Sequence, residues 1–291
     1  MSTVELQYSP SNSLIKTLLA GVLTSRSGFK ESVGLPDIKV EWKNAKADKA
    51  TLSKYCETLN LKQDSYLPIL YPHVLAGPMH MQLLMHKSFP FSLMGALHLK
   101  NRITQYKAIK TDASLDIKCE LAGYVLLDKG IEFEFKTFVH CGGQLVWESV
   151  STFLKSGKYG KATEGVEKSF ELTRLENAAE AGGWFVPKNR GKKYAHISRD
   201  YNPIHISATL AKFMGLKRDI AHGVGVWGEA IEQAKSIEQA GGLDKTLQVD
   251  VIFKGPMFLG SQASLKKEAG RFDVYCGSNP RPSICAEVKA I

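Results

Sequence analysis

Residues Ile131–Val139 have the sequence IEFEFKTFV, and they decide the fold class of this 291-residue chain because apolar and charged side chains alternate along them. A period of two is typical of an antiparallel strand with one face on a core and one face in water. Turn residues flank the segment, with Asp128-Lys129-Gly130 before it and Gly142-Gly143 after it. Strands predicted at Ala113–Leu127 and Gln144–Leu154 complete an antiparallel meander.

The second half of the chain predicts the same kind of sheet, preceded by a helix. Val224–Gln239 is long and apolar and contains Ala and Glu, which favours a helix over a strand. Segments with the character of strands follow it at Thr246–Phe253, Ser261–Glu268, Arg271–Cys276 and Ser283–Ala290.

Matching positions in the two halves indicate a diverged internal repeat. His73 and His222 each precede an apolar stretch and are 149 positions apart, while Leu97 and Leu247, where strands begin, are 150 apart. A repeat of ~150 residues predicts two similar domains packed together. Each domain would be a central helix followed by a curling antiparallel sheet.

The joint between the repeats is predicted near 155–180, where Lys155–Lys161 is polar and contains glycine. The chain is therefore divided into an N-terminal domain, 1–160, and a C-terminal domain, 161–291. Within the first domain, the apolar stretch Leu14–Leu23 predicts a helix packed on the core rather than a signal peptide or a membrane span, because Lys16 interrupts it.

The composition is that of an ordinary globular protein, with 44% hydrophobic and 23% charged residues. The net charge of +9 favours an anionic partner such as a phosphorylated cofactor or an acidic carrier protein. No long basic run is present, so we expect no nucleic-acid partner. Five cysteines without a C-x-x-C motif argue against a disulfide framework and fit a reducing cytoplasm.

The segment most suited to chemistry is Ser198–His205, SRDYNPIH. Pro203 keeps Asn202 out of the helical region, so Asp200 and His205 flank a turn that brings a carboxylate and an imidazole together. Two groups of different basicity that converge on one water suit acid/base catalysis, and Asn202 can fix the loop by local hydrogen bonds. On spacing alone, a structural Asp–His pair or a cap is the more common arrangement.

A second candidate feature is His222-Gly223, which stands just before the predicted helix. A free Gly223 amide at a helix N-terminus can stabilise a developing oxyanion. The alternative is a plain helix-entry glycine.

The segment Tyr194–Ala230 resembles the MaoC-like hydratases and dehydratases. Their signature reads roughly Ser-Gly-Asp-x-Asn-Pro-(Ile/Leu)-His, then Ala and Gly, then (Ile/Val)-(Ala/Val)-His-Gly. Here the pattern is SRDYNPIH at 198–205, followed by Ala211, Gly215 and IAHG at 220–223. Val251–Gly260 is similar to the family's next element, and Tyr71–Thr104 is similar to the N-terminal half of the longer, two-domain members.

The resemblance implies an α+β double hot-dog fold and a hydro-lyase of fatty-acid metabolism, which hydrates trans-2-enoyl thioesters to (R)-3-hydroxyacyl thioesters or runs the reverse dehydration. Asp200, His205 and the Gly223 amide would be catalytic. Asn202, His222, Arg199 and Lys192 would contact the substrate. No metal and no cofactor is implied, because coenzyme A or phosphopantetheine enters only as part of an acyl-CoA or acyl-carrier-protein substrate.

Departures from the family pattern qualify these expectations. Arg199 stands where the signature has Gly, so it would crowd the loop if this position had a positive φ, or would reach a phosphate or carboxylate. Ile231 stands where some members have a Ser or Asn, so no third residue is carried over. Tyr55–Asn60, in roughly the equivalent place of the first half, contains no His, which predicts a non-catalytic half that forms a wall of the acyl tunnel.

Other motifs have simpler interpretations. Gly223–Gly228 matches G-x-G-x-x-G, but the polar Lys217-Arg218-Asp219 before it is unlike the buried strand that a dinucleotide site needs. A metal site at His196, His205 and His222 lacks ligand spacing. His73, His80 and His86 fall in an apolar region, which predicts core or tunnel-lining residues. A basic cluster is either a solvated face or a phosphate contact, and it consists of Lys188, Arg190, Lys192 and Lys193.

The sequence thus predicts a cytoplasmic enzyme without a membrane span, present as a monomer or a homodimer. Two alternatives stay open at this point. One is a non-catalytic hot-dog protein that binds acyl thioesters, and the other is an acyl-CoA thioesterase.

Overall fold

The computed structural model describes residues 3–10, 26, 28–92, 95–165 and 170–291. Its strands are β1 Val4–Gln7, β2 Ile38–Ala45, β3 Ala96–Gln105, β4 Leu115–Leu127, β5 Gly130–Cys141, β6 Gln144–Ser156, β7 Ala179–Val186, β8 Leu247–Phe253, β9 Ser261–Glu268, β10 Arg271–Cys276 and β11 Ile284–Ala290. Its helices are α1 Lys49–Leu59, α2 Tyr71–Met85, α3 Arg190–Ser198, α4 Ala208–Phe213, α5 Gly223–Gln233 and α6 Ser236–Gln239, with a 3-10 turn at Pro203–His205.

All eleven strands form one sheet in the order β1-β2-β4-β5-β6-β3-β8-β11-β10-β9-β7. The order β2-β4-β5-β6-β3 of the first half is mirrored by β7-β9-β10-β11-β8 in the second. The halves meet where β3 pairs antiparallel with β8. The paired residues run from Lys100 opposite Ile252 to Gln105 opposite Leu247. The predicted internal repeat and the predicted α+β double hot-dog architecture are therefore confirmed.

The strands predicted from alternation are found within a residue or two of their expected bounds. The helix predicted at Val224–Gln239 is interrupted, because α5 ends at Gln233 and Lys235 adopts a left-handed φ of 51° before α6. An L-residue in this conformation breaks the hydrogen-bond ladder of a right-handed helix.

The central helices join the two halves into one core. Met79 and Leu83 of α2, and Trp227 and Ala230 of α5, are fully buried and belong to the same hydrophobic cluster. Helix α3 contacts both α1 and α2, and α5 contacts α1. The end of α3 is thereby held between the halves.

The connection between β6 and β7 contains the boundary expected at residue 160, and the division into two domains stays a prediction because sheet and core run through both halves. The helix predicted at Leu14–Leu23 lies outside the described residues. Among the residues that are described, no helix is long and apolar enough to cross a membrane.

Candidate active site

The loop that follows α3 begins with a strained residue. Arg199 ends the helix in the left-handed region at φ 61°, and its side chain is exposed. The position therefore has the positive φ that favours glycine. The arginine avoids crowding the loop because its side chain points into solvent, although its backbone costs roughly 1–2 kcal/mol relative to an unstrained residue.

Short side chains fold the loop by bonding to its own backbone. The Ser198 hydroxyl donates to the Tyr194 carbonyl at 2.9 Å and lies 3.3 Å from the Asp200 amide, from which it accepts. Asp200 Oδ1 accepts from the Asn202 amide at 3.1 Å, and Asn202 Oδ1 accepts from the Ile204 amide at 3.4 Å. The local role expected for Asn202 is confirmed, while its contact with substrate stays a prediction.

His205 ends the 3-10 turn with a defined tautomer. Its Nδ1 lies 2.9 Å from the Ile220 carbonyl oxygen, which can only accept, so Nδ1 carries the proton. The other ring nitrogen, Nε2, is the acceptor in this tautomer, and it lies 4.0 Å from Asp200 Oδ2. That distance is too long for a hydrogen bond, but one water can bridge the two acceptors.

His222 contacts both Asp200 and His205. Its ring stacks on the His205 ring with centroids 3.7 Å apart, and its Nε2 donates to the Asp200 carbonyl at 3.0 Å. Burial lowers the pKa of His222 to about 3, so the ring is neutral at physiological pH. The observed contacts of His222 are with the loop, and its contact with substrate stays a prediction.

The Asp200 carboxyl group is open to solvent, with 46% of its side chain exposed. Partial enclosure by itself raises the pKa of Asp200, but the imidazoles of His222 and His205 and the Asn202 amide outweigh it and hold the pKa below its ordinary value. Asp200 is therefore a carboxylate at neutral pH.

Gly223 is the first residue of α5, directly after His222, and it is partly exposed. Amides of a helix's first turn have no partner within the helix, so they can donate to a ligand. A Cβ on Gly223 would lie 2.8 Å from Cε1 of Phe253, which explains glycine here by close packing. A first-turn amide and the positive end of a helix dipole thus adjoin the Asp200 loop.

The basic cluster expected before this loop is only partly at the surface. Lys192 and Lys193 are exposed and can meet an anionic substrate group. Arg190 is 5% exposed and its Nη1 donates to Oε2 of the fully buried Glu229 at 2.7 Å. The placement of Arg190 in the cluster was wrong, because its partner lies 39 positions away, in α5.

Helix α1 of the first half ends at a left-handed residue, as α3 does, but no acidic residue follows it. Asn60 caps α1 in the left-handed region at φ 53°, as Arg199 caps α3. The residue after Asn60 is Leu61, whereas the residue after Arg199 is Asp200. Tyr55–Asn60 therefore lies in helix α1 and its cap, and the counterpart of the acid is apolar, which supports the expectation of a non-catalytic first half.

Two histidines of the first half face the second half. The sequence predicted His73 as a core or tunnel-lining residue and made no prediction for His98, whose ring lies 5.0 Å from the Phe253 ring that packs on Gly223. His73 of α2 and His98 of β3 both lie within the electrostatic influence of the Asp200 carboxylate. His86 instead ends α2 and contacts the Ser88 amide at 3.3 Å. No local motif could reveal the first two, because the approach depends on how the halves pack.

Asp200, His205 and His222 also form the one grouping in the described ranges with the ligand atoms that a metal ion needs. Both imidazoles already donate to backbone carbonyls, and His222 would have to release the Asp200 carbonyl to bind an ion through Nε2. The donor set suits a hydrogen-bonded water better than an ion. That no metal is required stays a prediction.

Comparisons with known proteins agree with the architecture. The model of the MaoC like domain family matches residues 167–276. The 3-hydroxyacyl-thioester dehydratase X of Mycobacterium tuberculosis is 28% identical over 210 residues, which cover 72% of this chain and 74% of that protein.

Solved structures share the fold. The crystal structure of HtdX from Mycobacterium tuberculosis has a TM-score of 0.72 at 24% identity, covering 87% of this chain and 100% of that one. Another Mycobacterium tuberculosis protein, described as a double hot-dog fold, has a TM-score of 0.56 at 11% identity, covering 93% and 97%. The family resemblance found in the sequence is thus confirmed.

Proposed function

Residues 167–276 are a MaoC-like domain within a double hot-dog chain, and on this premise we propose that the protein is a hydro-lyase of fatty-acid metabolism that interconverts trans-2-enoyl thioesters and (R)-3-hydroxyacyl thioesters. The observation that carries this proposal is the pair of acceptors Asp200 Oδ2 and His205 Nε2, 4.0 Å apart. A water has two protons to donate, so it can bond to both at once.

The chemistry follows from that arrangement. In hydration, the water oxygen forms a bond to C3 while one of its protons passes to the pair. The alkene electrons move onto C2 and the thioester carbonyl, and the resulting enolate takes a proton from the pair at C2. The pair ends in its starting protonation state, and dehydration is the same sequence in reverse.

Gly223 would supply the electrostatic part of catalysis. Its amide, at the positive end of α5, would donate to the thioester oxygen as enolate charge builds. A single donor of this kind contributes about 10²- to 10³-fold in kcat. Because the thioester already acidifies the C2 position, the two proton-transfer groups and this amide form a sufficient set.

The carrier of the acyl group would be anionic. Lys192 in α3 and Arg199, directly after α3, are both exposed. Both could bind the phosphates of coenzyme A or of a phosphopantetheine carrier. Their contribution would be to binding rather than to the chemical step.

A hydration assay tests the proposal. Purified protein is mixed with crotonyl-CoA and with longer trans-2-enoyl-CoA, and the ultraviolet band of the conjugated thioester is followed beside a thiol reagent. We expect the band to decline without release of thiol, and the Asp200→Asn variant to lose at least about 100-fold in kcat. His196→Gln, at an exposed position of α3, is the matched control and should keep full activity.

Other outcomes would point elsewhere. Release of free thiol would identify a thioesterase. Saturable thioester binding without turnover, with coenzyme A and carrier-protein substrates alike, would identify a binding protein.

A further inference from the structure

Residues 206–219 form an excursion of the chain that begins and ends beside the acid/base pair. The Ile220 amide donates to the Ile204 carbonyl at 3.0 Å, and the Ile220 carbonyl accepts from His205 Nδ1 at 2.9 Å. Helix α4 lies within the excursion and packs chiefly on the 3-10 turn that ends at His205. A molecule that binds to the excursion therefore lies next to His205.

Helix α4 leaves large apolar side chains in solvent. Phe213 is 87% exposed and Leu210 is 48% exposed, and residues three apart lie on the same side of a helix. The residue of α4 that is buried is Ala211. The phenyl ring of Phe213 contributes little to the core, so its apolar surface is available to a partner.

The positive charge of the protein is concentrated around this excursion. Residues 188–218 contain eight Lys and Arg residues and one acidic residue, so seven of the nine net positive charges come from this stretch. Arg190 is neutralised by Glu229, and Arg218 lies near Asp219. Within the part of the chain that the structure describes, the other six cations are exposed and form no ion pair; they are Lys188, Lys192, Lys193, Arg199, Lys212 and Lys217.

The fold brings the two basic segments, 188–193 and 212–218, together at Gly260. A Cβ on Gly260 would lie 2.9 Å from Cγ of Lys188 and 3.4 Å from Nη2 of Arg218. The cations before and within α3 therefore lie on the same side of the protein as those of the excursion. We call the cations of the two segments, apart from the buried Arg190, the basic surface.

Coenzyme A alone does not account for this surface. Its phosphates lie close together on one nucleotide, and Lys192 and Arg199 suffice to bind them. The cations of the excursion and the exposed ring of Phe213 would then have no ligand. A second copy of this chain would place like charges against one another, which disfavours association.

An acidic protein that carries the acyl group fits the whole arrangement. Its carboxylates would pair with the basic surface, and an apolar side chain would cover Phe213. Its phosphopantetheine arm is flexible, so the carrier can dock beside the site while the thioester reaches Asp200 and His205.

We infer that the excursion and the basic surface are a docking site for an acidic acyl carrier protein, and that the carrier-bound thioester is preferred over the coenzyme A thioester. The inference rests on the proposed function and names the carrier of the acyl group. The charges would speed association and make it depend on salt, while the contact with Phe213 would hold the complex together.

Turnover of one acyl group on two carriers tests the inference. The value of kcat/KM is measured for crotonyl-CoA and for crotonyl groups on an acidic bacterial acyl carrier protein. At about 20 mM salt we expect the carrier-bound substrate to be at least about 10-fold better, and at about 300 mM salt most of this advantage should disappear.

Surface variants identify the docking residues. Lys212→Glu/Lys217→Glu and Phe213→Ser should each lower kcat/KM for the carrier-bound substrate about 10-fold and leave crotonyl-CoA within about 3-fold. Lys46→Glu/Lys110→Glu makes the same change of charge at two exposed lysines of the first half and is the matched control. All these positions are exposed, and melting temperatures verify that the variants fold.

A binding measurement separates docking from catalysis. The affinity of the fluorescently labelled holo carrier, without an acyl group, should fall about 10-fold in the Lys212/Lys217 and Phe213 variants and stay unchanged in the control. Equal kcat/KM for both carriers, equal losses in the control, or binding of phosphatidylglycerol vesicles through Phe213 without binding of the carrier would overturn the inference. Carrier binding through these residues without turnover of any thioester would instead contradict the proposed function.

Discussion

Arg190 and Glu229 form an ion pair in which the guanidinium is 6% exposed and the carboxylate is fully enclosed, with Nη1 and Oε2 2.7 Å apart. The pair connects the first residue of α3, which leads to Asp200, with the middle of α5, which begins at Gly223. Asn60 of the first half donates to the same carboxylate. One buried acid thus holds both helices of the candidate site and the adjoining half.

The ion pair should matter most when only one partner is removed. Glu229→Leu leaves a buried guanidinium without a counter-charge, and we expect the free energy of unfolding to fall by about 3–5 kcal/mol in urea titrations. The double variant Arg190→Met/Glu229→Leu should recover much of this loss, because it buries no unpaired charge. Equal destabilisation of the single and double variants would show that the pairing of charges is not what stabilises this position.

Gly223→Ala should disturb the site through packing. The new methyl group would come within 2.8 Å of the Phe253 ring, so either the ring or the start of α5 must move. We expect a loss of about 1–3 kcal/mol in stability and a lower kcat. Gly255→Ala is the control, since a Cβ there approaches its nearest neighbour only at 4.0 Å. Combining Gly223→Ala with Phe253→Leu should restore stability, and an unimproved double variant would exclude the ring as the cause.

Arg199→Gly should stabilise the fold while weakening substrate binding. Glycine adopts the observed φ of 61° without strain, so we expect about 1 kcal/mol of added stability in thermal unfolding. If the side chain meets a phosphate, the KM for crotonyl-CoA should rise several-fold. The KM for crotonyl-pantetheine, which has no phosphate, should not change. Lys235→Gly, at a second left-handed position, should stabilise without affecting either KM.

Acid should destabilise the protein through its enclosed histidines. Burial lowers the pKa values of His73, His98 and His222 from 6.5 to about 4, 3 and 3. Between pH 6.5 and 4 the unfolded chain therefore binds more protons than the folded one, so stability rises with pH in this window and is lost on acidification. Because a pKa difference of one corresponds to about 1.4 kcal/mol, the loss should reach several kcal/mol.

The melting temperature measured between pH 7.5 and 4.5 checks this expectation. His98→Phe should flatten the dependence, and His140→Phe should leave it as in the wild type. A wild-type melting temperature that is constant over this range would contradict neutral burial of these rings.

The sequence predicted those features whose signal is local. The strand at 131–139 alternates by itself, and Asp200 and His205 are brought together by a turn that Asn202 and Pro203 specify. The roles given to this pair in catalysis stay predictions.

Features that depend on distant contacts were beyond the reach of the sequence. In the sequence, Arg190 is one of several basic residues close together, and nothing local shows that it pairs with Glu229 in the core. The left-handed Lys235 has no glycine to mark it, so the end of α5 was not foreseen. His73 and His98 come to lie beside the second half only because α2 and β3 pack on it.

The seam between β3 and β8 joins two parts of a single polypeptide. Its formation is a unimolecular event, so the local concentration of each half near the other is set by the connecting chain, on the order of millimolar for a short tether, and not by the amount of protein. Dilution therefore cannot separate the first half from the loop that holds Asp200. Specific activity should stay constant as the enzyme is diluted to nanomolar levels, where a weakly paired assembly of separate hot-dog subunits would fall apart.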